Sequence, residues 1–164
     1  MNKKNEIIAC EIETLITQFE EKKNAYHEEK LIQLLKENEI INFDKLSITE
    51  CHVISCISTL KEANGISIAE NLRMTRGGIS KIATRLIEKG LITTYKDETN
   101  QKKIFYILTP LGEKINLIHE QLHRENHNSL CSIANNYTLQ EQEIIIRFIK
   151  ELQNNNIEKT YKGE

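Results

Sequence analysis

Residues 67–90, SIAENLRMTRGGISKIATRLIEKG, constrain the fold more tightly than any other stretch of the chain. Ser67 and Glu70 stand in the Ser-x-x-Glu spacing of a capping box, which predicts a helix starting at Ser67 and running through Leu72. The polar break Arg73-Met74-Thr75 follows. Thr75 is suited to cap a second helix, and Gly90 to end it as the left-handed residue. On that second helix Ile79, Ile82, Ala83 and Leu86 keep the three-and-four spacing of a buried stripe. Arg76, Ser80, Lys81, Thr84 and Arg85 fall on the remaining faces. A short polar turn followed by a one-sided, basic, capped helix is the pattern of a helix-turn-helix, whose second helix enters a DNA groove.

An ordinary helical hairpin with a solvated basic face shares that local pattern, and the chain beyond Gly90 separates the two. Residues 91–95 (LITTY) and 104–108 (IFYIL) are β-branched and aromatic runs with a polar segment between them. Two helices followed by a β-hairpin with a polar tip predict a winged helix: a mainly α fold with a small β-hairpin wing. The domain organisation expected is an N-terminal helix over 1–45, the winged helix-turn-helix over 46–110 and C-terminal helices over 111–164.

The flanks are helical by pattern. Residues 3–38 carry Ile7, Ile8, Ile12, Leu15, Ile16, Phe19, Leu31, Leu34 and Leu35 between Glu/Lys runs, and Asn42-Phe43-Asp44 is the predicted break. Ser47 and Glu50 form a second capping box, opening a helix through about Leu60 with Val53, Ile54, Ile57 and Leu60 inward; Asn64-Gly65 is the predicted stop. Thr109-Pro110 opens a long helix to about Ala134, and Thr138 with Glu141 opens the last. Ile144, Ile145, Ile146, Phe148, Ile149 and Leu152 exceed the needs of one buried face. The terminal helices thus carry more apolar surface than a small winged-helix core can cover, and dimerisation is the simplest outlet.

Net charge is −2, which on its face disfavours a nucleic-acid partner, but its distribution reverses that. Residues 73–103 hold eight Lys/Arg against three Asp/Glu, while the rest of the chain holds 14 against 21. Positive charge gathered at the second motif helix and wing is a local footprint for phosphate. The candidate DNA-reading residues are Thr75, Arg76, Gly77, Gly78, Ser80, Lys81, Thr84 and Arg85, with Lys102 and Lys103 on the wing. Arg76 and Arg85 are able either to read guanine or to hold phosphate. Gly77 and Gly78 either let backbone approach DNA or are simply tolerated in a first turn. No apolar run is long enough to span a bilayer and the N-terminus lacks an apolar signal core, so a cytoplasmic location and no membrane partner are expected. Cys10, Cys51, Cys56 and Cys131 lack the spacing of a disulfide framework or zinc ribbon.

His119, His123 and His127 recur at i, i+4 and i+8 on one helix. Such spacing stacks imidazoles on one face, either as a solvated stripe or as a pair able to bind one divalent cation. The letters HEQLH over 119–123 also match a zincin motif. A hydrolase needs in addition a third ligand, an open water position and a substrate cleft; here the segment follows a wing, so no enzymatic activity is expected.

The chain resembles the MarR family of winged-helix transcriptional regulators. The resemblance is carried by Leu46-Ser47-Ile48-Thr49-Glu50, Ile68-Ala69-Glu70-Asn71-Leu72, Ile79-Ser80-Lys81, the run from Leu86 to Ile92, and Leu108-Thr109-Pro110-Leu111-Gly112. It implies a homodimer, acting as a repressor, on double-stranded DNA with pseudo-palindromic half-sites about one turn (roughly 34–36 Å) apart. Most members carry Asp-x-Arg near the wing tip, where this chain has Asn100-Gln101-Lys102, and lysine lacks the planar guanidinium fork.

One branch of the family is zinc-responsive and represses zinc uptake. Alignment with it implies zinc ligands at His52, His119 and His123, with His27, Glu28 and Glu29 as candidates for a fourth. That branch's second metal site is not reproduced, its acids falling at Cys51 and Ile118. Competing effectors are an aromatic or lipophilic small molecule and an oxidant acting on cysteine. A winged helix used as a protein-interaction module is a reading of a different class, and salt-dependent binding to duplex DNA separates it.

Overall fold

The computed structural model describes residues 3–40, 43, 45–96 and 103–161, with side chains described as far as residue 154. Six helices and one antiparallel hairpin follow in the order α1 (Lys3–Glu37), α2 (Ile48–Thr59), α3 (Gly65–Asn71), α4 (Arg76–Glu88), β1 (Ile92–Lys96), β2 (Ile104–Leu108), α5 (Pro110–Ala134) and α6 (Leu139–Tyr161). The chain divides into two compact units, Met1–Leu122 and His123–Glu164.

The core of the first unit is drawn from every element of the winged helix. Leu31, Leu34 and Leu35 of α1, Val53, Ile54 and Ile57 of α2, Ile68 of α3, the predicted stripe Ile79, Ile82, Ala83 and Leu86 of α4, and Ile115, Ile118 and Leu122 of α5 are all buried. The amino-terminal two-thirds of α1 is not part of it, and Ile7, Leu15 and Phe19 are exposed. Strands β1 and β2 pair from Ile92↔Leu108 to Lys96↔Ile104, with the Tyr95 and Phe105 rings stacked at 5.2 Å. The Tyr106 amide donates to the Ala63 carbonyl at 2.8 Å, so the hairpin is also pinned to the segment before α3.

Two predicted boundaries are corrected. Helix α3 begins at Gly65, not Ser67. The Asn64 carboxamide oxygen accepts from the Ile66 and Ser67 amides at 2.9 and 3.0 Å, and Ser67 Oγ accepts in return from the Asn64 amide at 3.0 Å. The capping box is therefore Asn64 with Ser67, and Asn64-Gly65 opens this helix rather than closing α2, which ends at Thr59. Helix α1 runs over Lys3–Glu37, matching the helix expected over residues 3–38; Asn42 and Asp44 of the predicted break lie outside the described residues.

Three helices end alike. Glu39 (φ 58°), Arg73 (φ 53°) and Gly90 (φ 67°) each occupy the left-handed position just past a helix end. In each case the next amide reaches back five residues: Ile40 to Leu35, Met74 to Ala69 and Leu91 to Leu86, all at 2.9 Å. This is the Schellman closure, which glycine adopts freely and other residues at a cost.

A single residue, Thr109, joins β2 to α5. Its hydroxyl donates to the Gly90 carbonyl at 2.7 Å and its amide to the Leu91 carbonyl at 3.0 Å, while its Oγ accepts from the Gly112 amide at 3.1 Å. A Cβ on Gly112 would overlap the Leu91 carbonyl oxygen, so this close approach requires glycine.

The second unit contains the end of α5 and α6. Thr138 caps α6, its amide donating to the Glu141 carboxylate at 2.8 Å as the predicted capping box requires. Between the helices runs an apolar groove of about 550 Å³, with Leu130, Ile133, Tyr137, Ile145, Ile146 and Ile149 among its lining. No helix among the described residues is long and apolar enough to cross a membrane.

Candidate nucleic-acid interface and histidine cluster

The presentation of α4 follows from its own sequence. Thr75 Oγ1 accepts from the Gly78 amide at 3.1 Å and starts the helix as predicted. A Cβ on Gly78 would stand 3.1 Å from that same Oγ1, tighter than most real contacts, so glycine here leaves the cap undisturbed. Gly77 faces open space, and nothing in the fold demands glycine there. Burial of the apolar stripe turns the opposite face outward: Thr75, Arg76, Gly77, Ser80, Lys81, Thr84 and Arg85 are exposed and Gly78 is half-buried. The Thr84 hydroxyl donates to the Ser80 carbonyl at 3.0 Å. On the wing Lys103 is exposed, whereas Lys102 lies outside the described residues.

Arg85 has a second commitment that the sequence did not suggest. Its Nε donates to Glu50 Oε1 at 3.2 Å, and Lys89 Nζ lies 2.9 Å from both Glu50 oxygens. Glu50 is 2 % exposed, while the Arg85 and Lys89 side chains are 51 % and 26 % exposed. Burial pushes the Glu50 carboxyl upward, but the Ser47 amide, Lys89 and Arg85 together outweigh it and hold the group below the ordinary carboxylate range. The capping-box acid of α2 thus doubles as the anchor for the C-terminal turn of α4. Of the two arginines on the outward face, Arg76 carries no such tie among the described residues.

Two residues beyond Glu50, α2 carries His52. His52 on α2 and His119 on α5 approach with ring centroids 5.1 Å apart in an edge-on arrangement. His119 is buried and His52 exposed. With His123, one turn further along the continuous helix α5, they offer three ligand nitrogens all within 4.8 Å of one another. Three imidazoles are a borderline-soft donor set suited to zinc, with Zn–N of about 2.0–2.1 Å and a fourth position left over. His27, Glu28 and Glu29 are not in this group. Nor does Cys51 offer a thiolate: it is fully buried and its thiol is pushed up to about 12, by burial first and by the charge of Glu50 second. Glu120, the acid of the HEQLH letters, accepts from Asn116 Nδ2 at 2.9 Å.

A capped basic helix, its supporting helices and an antiparallel hairpin make this a winged helix-turn-helix protein. Residues 46–104 match the family model of the MarR family. Among relatives, the HTH-type transcriptional regulator PchR of Bacillus subtilis is 28 % identical over 106 residues, covering 65 % of this chain and 63 % of PchR. The transcriptional regulator AdcR of Streptococcus pneumoniae is 26 % identical over 134 residues, covering 79 % of this chain and 91 % of AdcR. The solved structure of Lactococcus lactis ZitR, a zinc-responsive MarR family member, superposes with a TM-score of 0.62 at 20 % identity, over 67 % of this chain and 76 % of that one. ZitR in complex with DNA gives 0.61 at 22 % identity, over 67 % and 75 %. At these identities the likeness to ZitR is one of fold. The chain spans between 57 % and 65 % of the Bacillus subtilis regulators it matches.

Proposed function

We propose that this chain is a homodimeric transcriptional regulator that binds duplex DNA through α4 and the wing, under the control of a divalent cation held by His52, His119 and His123. The observation that carries the DNA reading is the sidedness of α4. Its apolar stripe is buried, while Arg76 and Lys81 stand exposed beside a helix N-terminus whose amides and dipole favour phosphate. Self-association is supported in each unit separately, by exposed Ile7, Leu15 and Phe19 on α1 and by the apolar groove between α5 and α6.

Zinc is favoured for the cation because three imidazoles converge within 4.8 Å and because AdcR and the zinc-responsive ZitR are among the similar proteins. A bound cation would supply a link between α2 and α5. The first turn of α2 also holds the end of α4 through Glu50, so the placement of α2 bears directly on the DNA-facing helix. A ligand controls such an equilibrium only through its different affinity for the two placements.

Selection from a random duplex pool, followed by anisotropy titration of the recovered sequence with and without zinc, tests the reading. Arg76→Ala and Lys81→Ala should each weaken binding about tenfold, or 1–3 kcal/mol. Calorimetry should show a tight zinc-binding event that His119→Ala and His52→Ala abolish. Unchanged DNA affinity in both charge variants would remove α4 as the interface, and equal zinc affinity in the histidine variants would end the metal assignment. Sedimentation decides self-association; a monomer would leave the α5–α6 groove to a lipophilic ligand.

A further inference from the structure

We propose that α5 carries a second cation site, formed by His127 and Cys131, which takes a soft divalent ion such as zinc or cadmium. The two residues are four apart on one helix, so their side chains share a face. Cys131 Sγ and His127 Nε2 lie 3.5 Å apart, and both residues are exposed. A zinc ion holds sulfur at about 2.3 Å and imidazole nitrogen at about 2.0–2.1 Å, so two such ligands at a tetrahedral angle stand roughly 3.5 Å apart. The pair therefore already has the bite of one tetrahedral ion, with no helix movement needed. Thiolate and imidazole together select soft and borderline cations over magnesium or calcium.

Binding here breaks the Cys131 S–H bond, releases that proton to solvent, and forms a metal–sulfur and a metal–nitrogen bond in place of two bound waters. The remaining positions stay with water, since among the described residues no third ligand joins this pair. The site is accordingly weaker and more exchangeable than the three-imidazole group. It uses neither His52, His119 nor His123, so it stands or falls apart from the regulatory reading. Of the other thiols, Cys51 and Cys56 are buried, leaving Cys10 as the exposed control.

Titration of the full-length, reduced protein with cobalt(II) tests the proposal, because only a thiolate ligand gives the near-ultraviolet sulfur-to-cobalt charge-transfer band. The band should appear in the unaltered protein and in Cys10→Ser, and be lost in Cys131→Ser and His127→Ala. It should persist in His119→Ala, which disables the three-imidazole group alone. Absence of the band from the unaltered protein, or its survival in Cys131→Ser, overturns the site. Circular dichroism of the variants guards against misfolding, which is not expected for two exposed residues. Zinc should also protect Cys131, but not Cys10, from alkylation read residue by residue in the mass spectrometer; equal rates with and without zinc would count against the proposal.

Discussion

Replacing Glu50 by Gln keeps the size of the side chain and removes only its charge. In the native protein that carboxylate receives the Ser47 amide at 2.9 Å, Lys89 Nζ at 2.9 Å and Arg85 Nε at 3.2 Å, from a position 2 % exposed. Charge-assisted bonds of this kind contribute about 1.5–3 kcal/mol each when shielded. The Arg85 side chain is 51 % exposed, so water replaces most of its share; Lys89, at 26 %, loses more. The expected loss is therefore about 1–3 kcal/mol, below the cost of breaking a fully buried pair. For a chain of this size that lowers the melting temperature by about 3–9 °C. The native pKa of Glu50 lies below its ordinary value of 4.5, so its contribution is complete above that pH and disappears as pH falls through the native value. Urea titrations from pH 7 down to pH 3 should show the gap between the two proteins constant near neutrality and closing in acid. Equal stability at pH 7, or a gap that does not narrow in acid, would refute the anchoring role of Glu50.

Other consequences are simpler to read. Arg73→Gly should raise stability by about 1 kcal/mol in urea titration, because the left-handed turn penalises a side chain. Asn64→Ala should lower it by about 1 kcal/mol; a silent substitution would return the start of α3 to Ser67. Gly112→Ala should cost about 3 kcal/mol or more, since its methyl would be driven into the Leu91 carbonyl, and a variant with unaltered melting temperature would contradict that packing.

What the sequence disclosed depended on how far apart the interacting residues lie. The α4 stripe and the run from Ile104 to Leu108 announce themselves through spacing and residue type alone, and both occur where expected. The start of α3 was obscured because Asn64 with Ser67 and Ser67 with Glu70 offer overlapping caps, and only the geometry selects between them. Left-handed φ at Glu39 and Arg73 has no glycine to mark it. Glu50 was recognisable as a capping acid from Ser47, three residues away, but its partners lie 35 and 39 residues distant, where no periodicity reaches. Helical spacing alone pairs His119 with His123. His52 entered only through the family resemblance, and the structure brings it to them.

The joint at Thr109 has a mechanical consequence. With one residue between β2 and α5, and that residue fastened to the carbonyls of Gly90 and Leu91, there is no slack through which a displacement could dissipate. A tilt at the start of α5 acts as a crank: it carries the hairpin and the tail of α4 together. The hairpin and the tail of α4 are therefore geared to one shaft, the first turn of α5.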